Sequence, residues 1–418
     1  MITSDINREE IWLRELVLKT GQEKFRPYLE AISIVLDPLK IQFKKRNVKI
    51  ITIGGTNGKG ETSMRLYHHL LSSGKNVALW TSPHILSVTE RMSYNGTNIN
   101  FNTLEKIAEL KASDFKDLSF YEFLFACFCF WVSDLDVEYL VLEVGLGGRF
   151  DAVNVFDANY CALTSIDLDH QEFLGDTREK ILAEKYPISR SNSPLLTSIK
   201  RPELRKLLQD WTNRDLVPWC DLFELQFIDQ NMNFSQRNAV LAASLFMLVT
   251  KGNFGLGSEL NRLSQTKMNL LARQELMTYV TNSFIFIGAH NREGFEELLY
   301  LIDQKNEFFD QVWCSFSKRS IGEMKVLLDG LLQRPEKIGK VCICEFDHTK
   351  ASGLEELIKL VDEYKKNSRL HIFTIEQWKN SILQSSGHSL VTGSYYFIAD
   401  VQRFFYSTRN NQQQSVCT

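Results

Sequence analysis

The sequence predicts an α/β protein: a mostly parallel, phosphate-loop sheet flanked by helices, followed by a second, smaller Rossmann-like α/β domain. Three observations carry this. A β-branched run (Ile50, Ile51, Thr52, Ile53) enters a glycine-rich turn, Gly54–Gly60, and then a helical pattern with Met64, Leu66, Leu70 and Leu71 as its apolar positions. Continuous apolar segments alternate with helical ones, the mark of parallel strands covered on both faces. The 418 residues exceed what a single core organises, so two domains are expected.

In order along the chain, Asn76–Trp80 follows as a short strand ending in Thr81-Ser82-Pro83-His84. Residues 103–113 and 120–134 read as helices, the second apolar enough from Phe123 to Val132 to be buried. Glu138–Val144 and Tyr160–Ile166 are strands, and Asn233–Thr250 is a helix. The first domain is placed at 1–270 and the second at 271–405, with strands at Ser283–Ile287, Val312–Phe316, Val341–Cys344, Leu370–Thr374 and Tyr395–Ala399. The polar end, 406–418, is expected to be a disordered tail.

In open α/β sheets, ligands gather at the carboxyl ends of strands. The candidate functional residues fall there: Gly54–Gly60 after the first strand, Ser82 after the second, Glu143 closing the third, and Asp169-His170 after the fourth. The turn Gly55-Thr56-Asn57-Gly58-Lys59-Gly60 is the richest. Its glycines let backbone N–H groups converge, the helix start adds partial positive charge, and Lys59 adds a full one. The guest such a cradle fits is a polyphosphate. The strict phosphate-loop pattern is not met, because Ile53 and Gly60 occupy positions that it gives to Gly and to Ser or Thr. A tight turn carrying an exposed lysine is the alternative.

The net charge of −3 implies no polycationic surface, so nucleic acid is not an expected partner. The polar, acidic start lacks a secretory pattern, and the longest apolar stretch is too short to span a bilayer. Eight cysteines without a Cys-x-x-Cys fit buried thiols in a reducing cytoplasm, with no structural zinc.

Taken together, Gly55–Gly60, Thr81–His84 with Glu90-Arg91, the run Glu143–Ala152, Asp169-His170 through Glu184-Lys185, Asn238, Ala272-Arg273, Gly288–Asn291 and Thr392–Ser394 resemble the folylpolyglutamate synthase/dihydrofolate synthase family of the Mur-ligase superfamily. The resemblance spans about residues 45–400. It implies an ATP-dependent acid–amino-acid ligase, cytoplasmic and monomeric. ATP would phosphorylate the carboxylate of dihydropteroate or of a reduced folate, and L-glutamate would displace the phosphate.

On this resemblance Gly55, Thr56, Asn57, Gly58, Lys59, Gly60, Glu61 and Thr62 would hold the nucleotide phosphates, with Lys59 on the β- and γ-phosphates. Ser82, Glu143 and His170 match the magnesium ligands, and Lys185 matches a lysine that the family carbamylates to hold a second Mg2+. Asn238 would meet adenine. Arg273, Ile287 and His290 match nucleotide-binding positions near and in the second domain. Pro83, Tyr121 and Asp151 fall on the pterin side. Each also has a plainer reading: Ser82 as a helix cap, Glu143 as a satisfied strand-end carboxylate, His170 as a loop histidine, Tyr121 as core, Lys185 as a surface lysine.

The chain departs from the pattern at four places. Glu61 stands where Ser or Thr follows Gly-Lys-Gly; Ile287 replaces an acidic residue; Leu271 replaces Pro; and Tyr186-Pro187 replace a small pair. The expectation is that Glu61 turns from the phosphates and Thr62 compensates. A Mur-type ligase with another carboxylate substrate stays open, as does a catalytically degenerate pterin- or nucleotide-binding homologue.

Overall fold

The structure, a computed structural model, describes residues 2–21, 26–254, 257–266, 273–279 and 282–415; the side chains of 2–7, 273–275 and 409–415 lie outside the description. The chain divides into two compact units, Met1–Met268 and Asn269–Thr418.

The first unit holds eight strands: β1 (Lys49–Gly54), β2 (Val77–Trp80), β3 (Met92–Tyr94), β4 (Thr97–Asn98), β5 (Tyr139–Glu143), β6 (Tyr160–Leu163), β7 (Leu195–Thr197) and β8 (Trp219–Asp221). They form one sheet in the order β4-β3-β2-β5-β1-β6-β7-β8. From β2 to β8 every neighbouring pair is parallel; β3 and β4 add an antiparallel edge. β1 lies between β5 and β6, with Ile53 beside Glu143 on one side and beside Ala162 on the other.

The alternation of side chains along each strand divides the interior into two cores. Ile50, Trp80, Leu140 and Leu142 join the apolar Phe120–Ser133 helix on one face. Ile51, Ile53, Leu79 and Val141 meet Leu66 and Leu70 of the Lys59–Ser72 helix and Leu241 and Leu245 of the Phe234–Lys251 helix on the other. The Phe120–Ser133 helix is entered through a capping box, Ser119 and Glu122 bonding each other's backbone N–H. Its buried phenylalanines account for the unbroken apolar run.

The second unit contains β9 (Arg273–Tyr279), β10 (Asn282–Ile287), β11 (Phe309–Cys314), β12 (Ile338–Cys344), β13 (Leu370–Phe373) and β14 (His388–Thr392), in the order β13-β12-β11-β14-β10-β9. Only β9 runs antiparallel to its neighbour.

Two expectations are corrected here. Tyr395–Ala399 is not a strand but the start of a helix, Tyr395–Ser415. The strand is His388–Thr392, and Gly393, at φ +98°, turns the chain away from it. Aromatic and β-branched residues favour strands locally, but Phe397, Ile398, Val401 and Phe405 are buried at helical spacing, and that tertiary burial decides the matter. The same helix carries through most of the segment expected to be a disordered tail. No glycine or proline interrupts residues 395–415, and only 416–418 lie outside the described residues. Among the described residues the cysteines form no disulfide, and no helix is long and apolar enough to cross a membrane.

Candidate active site

The loop after β1 is shaped by two glycines in left-handed conformations. Gly55 has φ +138°, and a β-carbon there would lie 2.0 Å from Thr164 Oγ1. Gly58 has φ +89° and begins the Lys59–Ser72 helix with no side-chain cap. The dipole of that helix favours an anion at its start. Lys59 Nζ reaches back over the loop to the carbonyls of Gly55 (3.1 Å) and Thr56 (2.9 Å).

The loop is fastened to the exit of β6. Thr56 N donates to Ser165 O at 2.6 Å, and Asn57 N donates to Ser165 Oγ at 3.0 Å. Thr164 Oγ1 donates to the carbonyls of Asn57 (2.7 Å) and Gly54 (3.2 Å). Asp167 N donates to Thr56 Oγ1 at 3.1 Å. Thr164 and Ser165 were not singled out in the sequence. Their position just past a strand end next to β1 is the one signal that marks them.

Glu143 ends β5, between β1 and β2. Its Oε2 accepts from Ser82 N at 3.0 Å and from the Thr81 hydroxyl. Its Oε1 meets no donor among the described residues, although the residue is only 2% exposed. An unmatched oxygen on the carboxylate of a buried residue, with Ser82 following the neighbouring strand, fits a hard cation. Among the described residues no three His, Cys, Asp or Glu side chains gather as a complete metal site.

Pro83 is exposed and follows Ser82 through a cis peptide. The loop beyond is folded around Glu90, whose carboxylate accepts from Ile85, Leu86 and Ser87 N–H groups at 2.7–3.0 Å. Arg91 Nε donates to His84 Nδ1 at 2.9 Å. The Glu-Arg pair of the motif therefore holds loop shape.

Asp151 closes the glycine loop after β5. Its Oδ2 accepts from Gly145 N and Leu146 N, both at 2.9 Å, and its Oδ1 accepts from Val153 N at 3.1 Å and from Tyr121 Oη at 3.4 Å. Burial pushes its pKa up to about 6 even though these donors pull it down. Tyr121 is partly buried, lies against Gly145, and accepts from Trp80 Nε1 at 3.0 Å. Both oxygens of Asp151 are thus engaged by protein donors.

His170, at φ +49°, is exposed ahead of the short Gln171–Leu174 helix. Packing of its inner edge, with the Lys185 and Lys59 ammonium groups, holds its pKa below the ordinary value, while Asp169 pulls it up. Lys185 ends the Arg178–Lys185 helix and is 4% exposed, so it is not a surface lysine. Tyr186–Ile188 continues as a single tight turn. Burial, and then the charge of Lys59, brings the Lys185 pKa down to about 7, against the opposite pull of Asp169 and Asp151. Gly148 makes room for this helix end: a β-carbon there would lie 2.8 Å from the Lys185 carbonyl oxygen.

Glu61 is drawn into a network on its own side of the loop. Arg65 Nε donates to its Oε1 at 3.0 Å, Ser235 Oγ at 2.5 Å, and Asn238 Nδ2 donates to its Oε2 at 2.9 Å. Thr62 is fully buried, its hydroxyl without a hydrogen-bond partner. Asn238 also packs over Gly58.

In the second unit Ile287 ends β10 and is partly buried. The His290 ring lies tilted against Tyr395, with ring centroids 5.1 Å apart. Gly288 is crowded by the same Tyr395 ring, and Asn291 caps the Arg292–Gln304 helix through Gly294 N at 2.9 Å. Arg273 begins β9, but its side chain lies outside the described residues.

No family-level profile matches the chain. A dihydrofolate synthase/folylpolyglutamate synthase of Buchnera aphidicola subsp. Schizaphis graminum is 30% identical over 381 residues, covering 84% of this chain and 86% of that protein. The Bacillus subtilis protein of the same description is 26% identical over 398 residues, 86% of this chain and 91% of its own. A solved bifunctional folylpolyglutamate synthase/dihydrofolate synthase with Mn, AMPPNP and L-glutamate bound superposes with a TM-score of 0.75 at 22% identity, over 94% of this chain and 98% of that one.

Proposed function

The chain belongs to the dihydrofolate synthase/folylpolyglutamate synthase family, and on that premise we propose that it is an ATP-dependent ligase joining L-glutamate to dihydropteroate, to the glutamate tail of a reduced folate, or to both. The observation that carries the reading is the meeting of opposite needs at one sheet edge. Lys59 on the glycine loop acts electrostatically on the buried Lys185, and the buried residue Glu143 keeps one carboxylate oxygen, Oε1, that no donor among the described residues engages. A triphosphate supplies the negative charge the lysines lack, and a divalent cation matches the carboxylate.

A free carboxylate is a poor acyl donor, and phosphorylation supplies the leaving group. The γ-phosphoryl group goes from ATP to the acceptor's carboxylate oxygen and ADP leaves. The amino group of glutamate then attacks the acyl carbon and phosphate leaves, with loss of a proton. Lys59, the Gly55–Gly58 loop and the start of the following helix gather the phosphates, so positioning and positive charge do most of the work. Ser82, Glu143 and His170 would hold a Mg2+, which would neutralise charge on the phosphates. Asn238 would meet the base of the nucleotide.

Lys185 is the carbamylation site. A neutral amine attacks carbon dioxide, forming an N–C bond and releasing a proton, and a pKa of about 7 leaves much of Lys185 neutral near pH 7. The resulting carboxylate is a ligand for a second Mg2+. Pro83, Tyr121 and Asp151 form the pterin side. A pterin N–H would compete there with the long Tyr121 contact at Asp151 Oδ1 rather than with the shorter backbone donors.

Incubating purified protein with ATP, Mg2+ and L-glutamate, with dihydropteroate and tetrahydrofolate tried separately, tests the reading. Phosphate release and a glutamylated product are expected to require all components and to vanish in Lys59→Ala. Turnover that ignores glutamate would refute it.

A further inference from the structure

We propose that Glu61 is a positioning residue that makes the nucleotide site read the exocyclic amino group of adenine, by fixing which end of the Asn238 amide faces the ligand. The inference rests on the nucleotide reading above and adds to it the reason for a glutamate at the position where the chain departs from its family pattern.

The network has one consistent polarity. Arg65 donates to Ser235 Oγ at 3.2 Å, and the Ser235 hydroxyl in turn donates to Glu61 Oε1, which also accepts from Arg65 Nε. Glu61 Oε2 then faces Asn238 at 2.9 Å as an acceptor. Reversing the Asn238 amide would set two acceptors against each other, so the carboxylate dictates that Nδ2 turns inward. The carbonyl Oδ1 is left over. No donor among the described residues reaches it, although Asn238 is only 2% exposed.

That oxygen lies against the phosphate loop: a β-carbon on Gly58 would come within 2.4 Å of it. An acceptor at the nucleotide loop that no donor among the described residues engages, on an otherwise buried side chain, is open to a donor from the ligand. Phosphates carry none. The adenine amino group does, whereas hypoxanthine and guanine place a carbonyl oxygen at the same point and would meet Oδ1 acceptor to acceptor.

Calorimetry of the full-length protein with Mg2+ and ATP, inosine triphosphate or deoxy-ATP tests this without any turnover. The unsubstituted protein is expected to bind ATP at least about tenfold tighter than inosine triphosphate, as one mismatched polar contact predicts. Deoxy-ATP is expected to bind like ATP. Glu61→Gln can offer a donor to Oδ1 and release the amide to turn, so the preference for ATP should fall about tenfold. Glu61→Asp stays an acceptor and should retain the preference. Equal binding of ATP and inosine triphosphate by the unsubstituted protein would overturn the proposal with no variant needed. So would a preference unchanged in a folded Glu61→Gln, or a deoxy-ATP affinity as weak as that for inosine triphosphate. Binding of no nucleotide at all would remove the ligase reading as well, which separates the two failures.

Discussion

Thr164 Oγ1 donates to the carbonyl of Asn57 at 2.7 Å, so a hydroxyl at the end of β6 holds the loop that follows β1. The same hydroxyl occupies the space that a β-carbon on Gly55 would need. Thr164→Val keeps the shape but removes the closest donor to Asn57 O, which is left with the Ser165 hydroxyl at 3.3 Å, while Gly54 O keeps the Thr164 N–H at 3.0 Å. It should cost about 1–2 kcal/mol in urea unfolding and raise KM for ATP more than it lowers kcat. Gly55→Ala meets the hydroxyl and an unfavourable φ together, and should lose nucleotide binding in calorimetry.

Gly148 is tied to Lys185 by space alone. An alanine β-carbon would press on the Lys185 carbonyl oxygen, on Ile188 and on the Glu184 carbonyl. Gly148→Ala should therefore lower kcat by at least about tenfold, since a displacement of about 1 Å in a site costs that much or more. Circular dichroism should stay native.

Lys185 also predicts a pH dependence of stability. Unfolded, its proton is held up to the ordinary value of 10.5; folded, it is released near 7. Between these values the unfolded chain binds more protons, so unfolding free energy rises with pH. Below about 7 both states are charged and the burial penalty is complete. In buffer free of carbon dioxide, Lys185→Met should flatten the slope between pH 7 and 10.5 and raise the urea midpoint at pH 7. It should also abolish ligation.

These pairs explain what was legible in the chain. The strand, glycine loop and helix at 49–72 are local, so their pattern announces itself, and Ser82, Glu143 and His170 follow from a rule about strand ends. The clasps from Thr164 and Ser165 join residues more than a hundred positions from the loop, and a threonine past a strand has no local signature. The Glu61–Ser235–Asn238 network spans a still greater separation, so the sequence pattern carries the expectation that Glu61 turns from the phosphates but not the partners that hold it. Strands β7 and β8, three residues each, are too short for periodicity to register. At Tyr395 local preference and burial disagreed, and burial prevailed.

Asp151 titrates in the opposite sense. Its folded pKa of about 6 lies above the ordinary 3.8, so in that window the folded chain holds more protons. Its contribution to unfolding free energy falls as pH rises from 3.8 to about 6 and then stays at its lowest. Asp151→Asn retains one acceptor oxygen where four donors now converge. It should destabilise by about 1–3 kcal/mol near pH 7, read by thermal or urea melts, because backbone N–H groups lose their acceptor.

The central claim is that the acid is activated by phosphoryl transfer before the amide forms. It is tested most directly by labelling the acceptor's carboxylate with heavy oxygen and collecting the released phosphate. Transfer through an acyl phosphate predicts that one labelled oxygen appears in phosphate for each amide made, and that Lys59→Ala releases none. Glutamylated product accompanied by unlabelled phosphate would contradict the account.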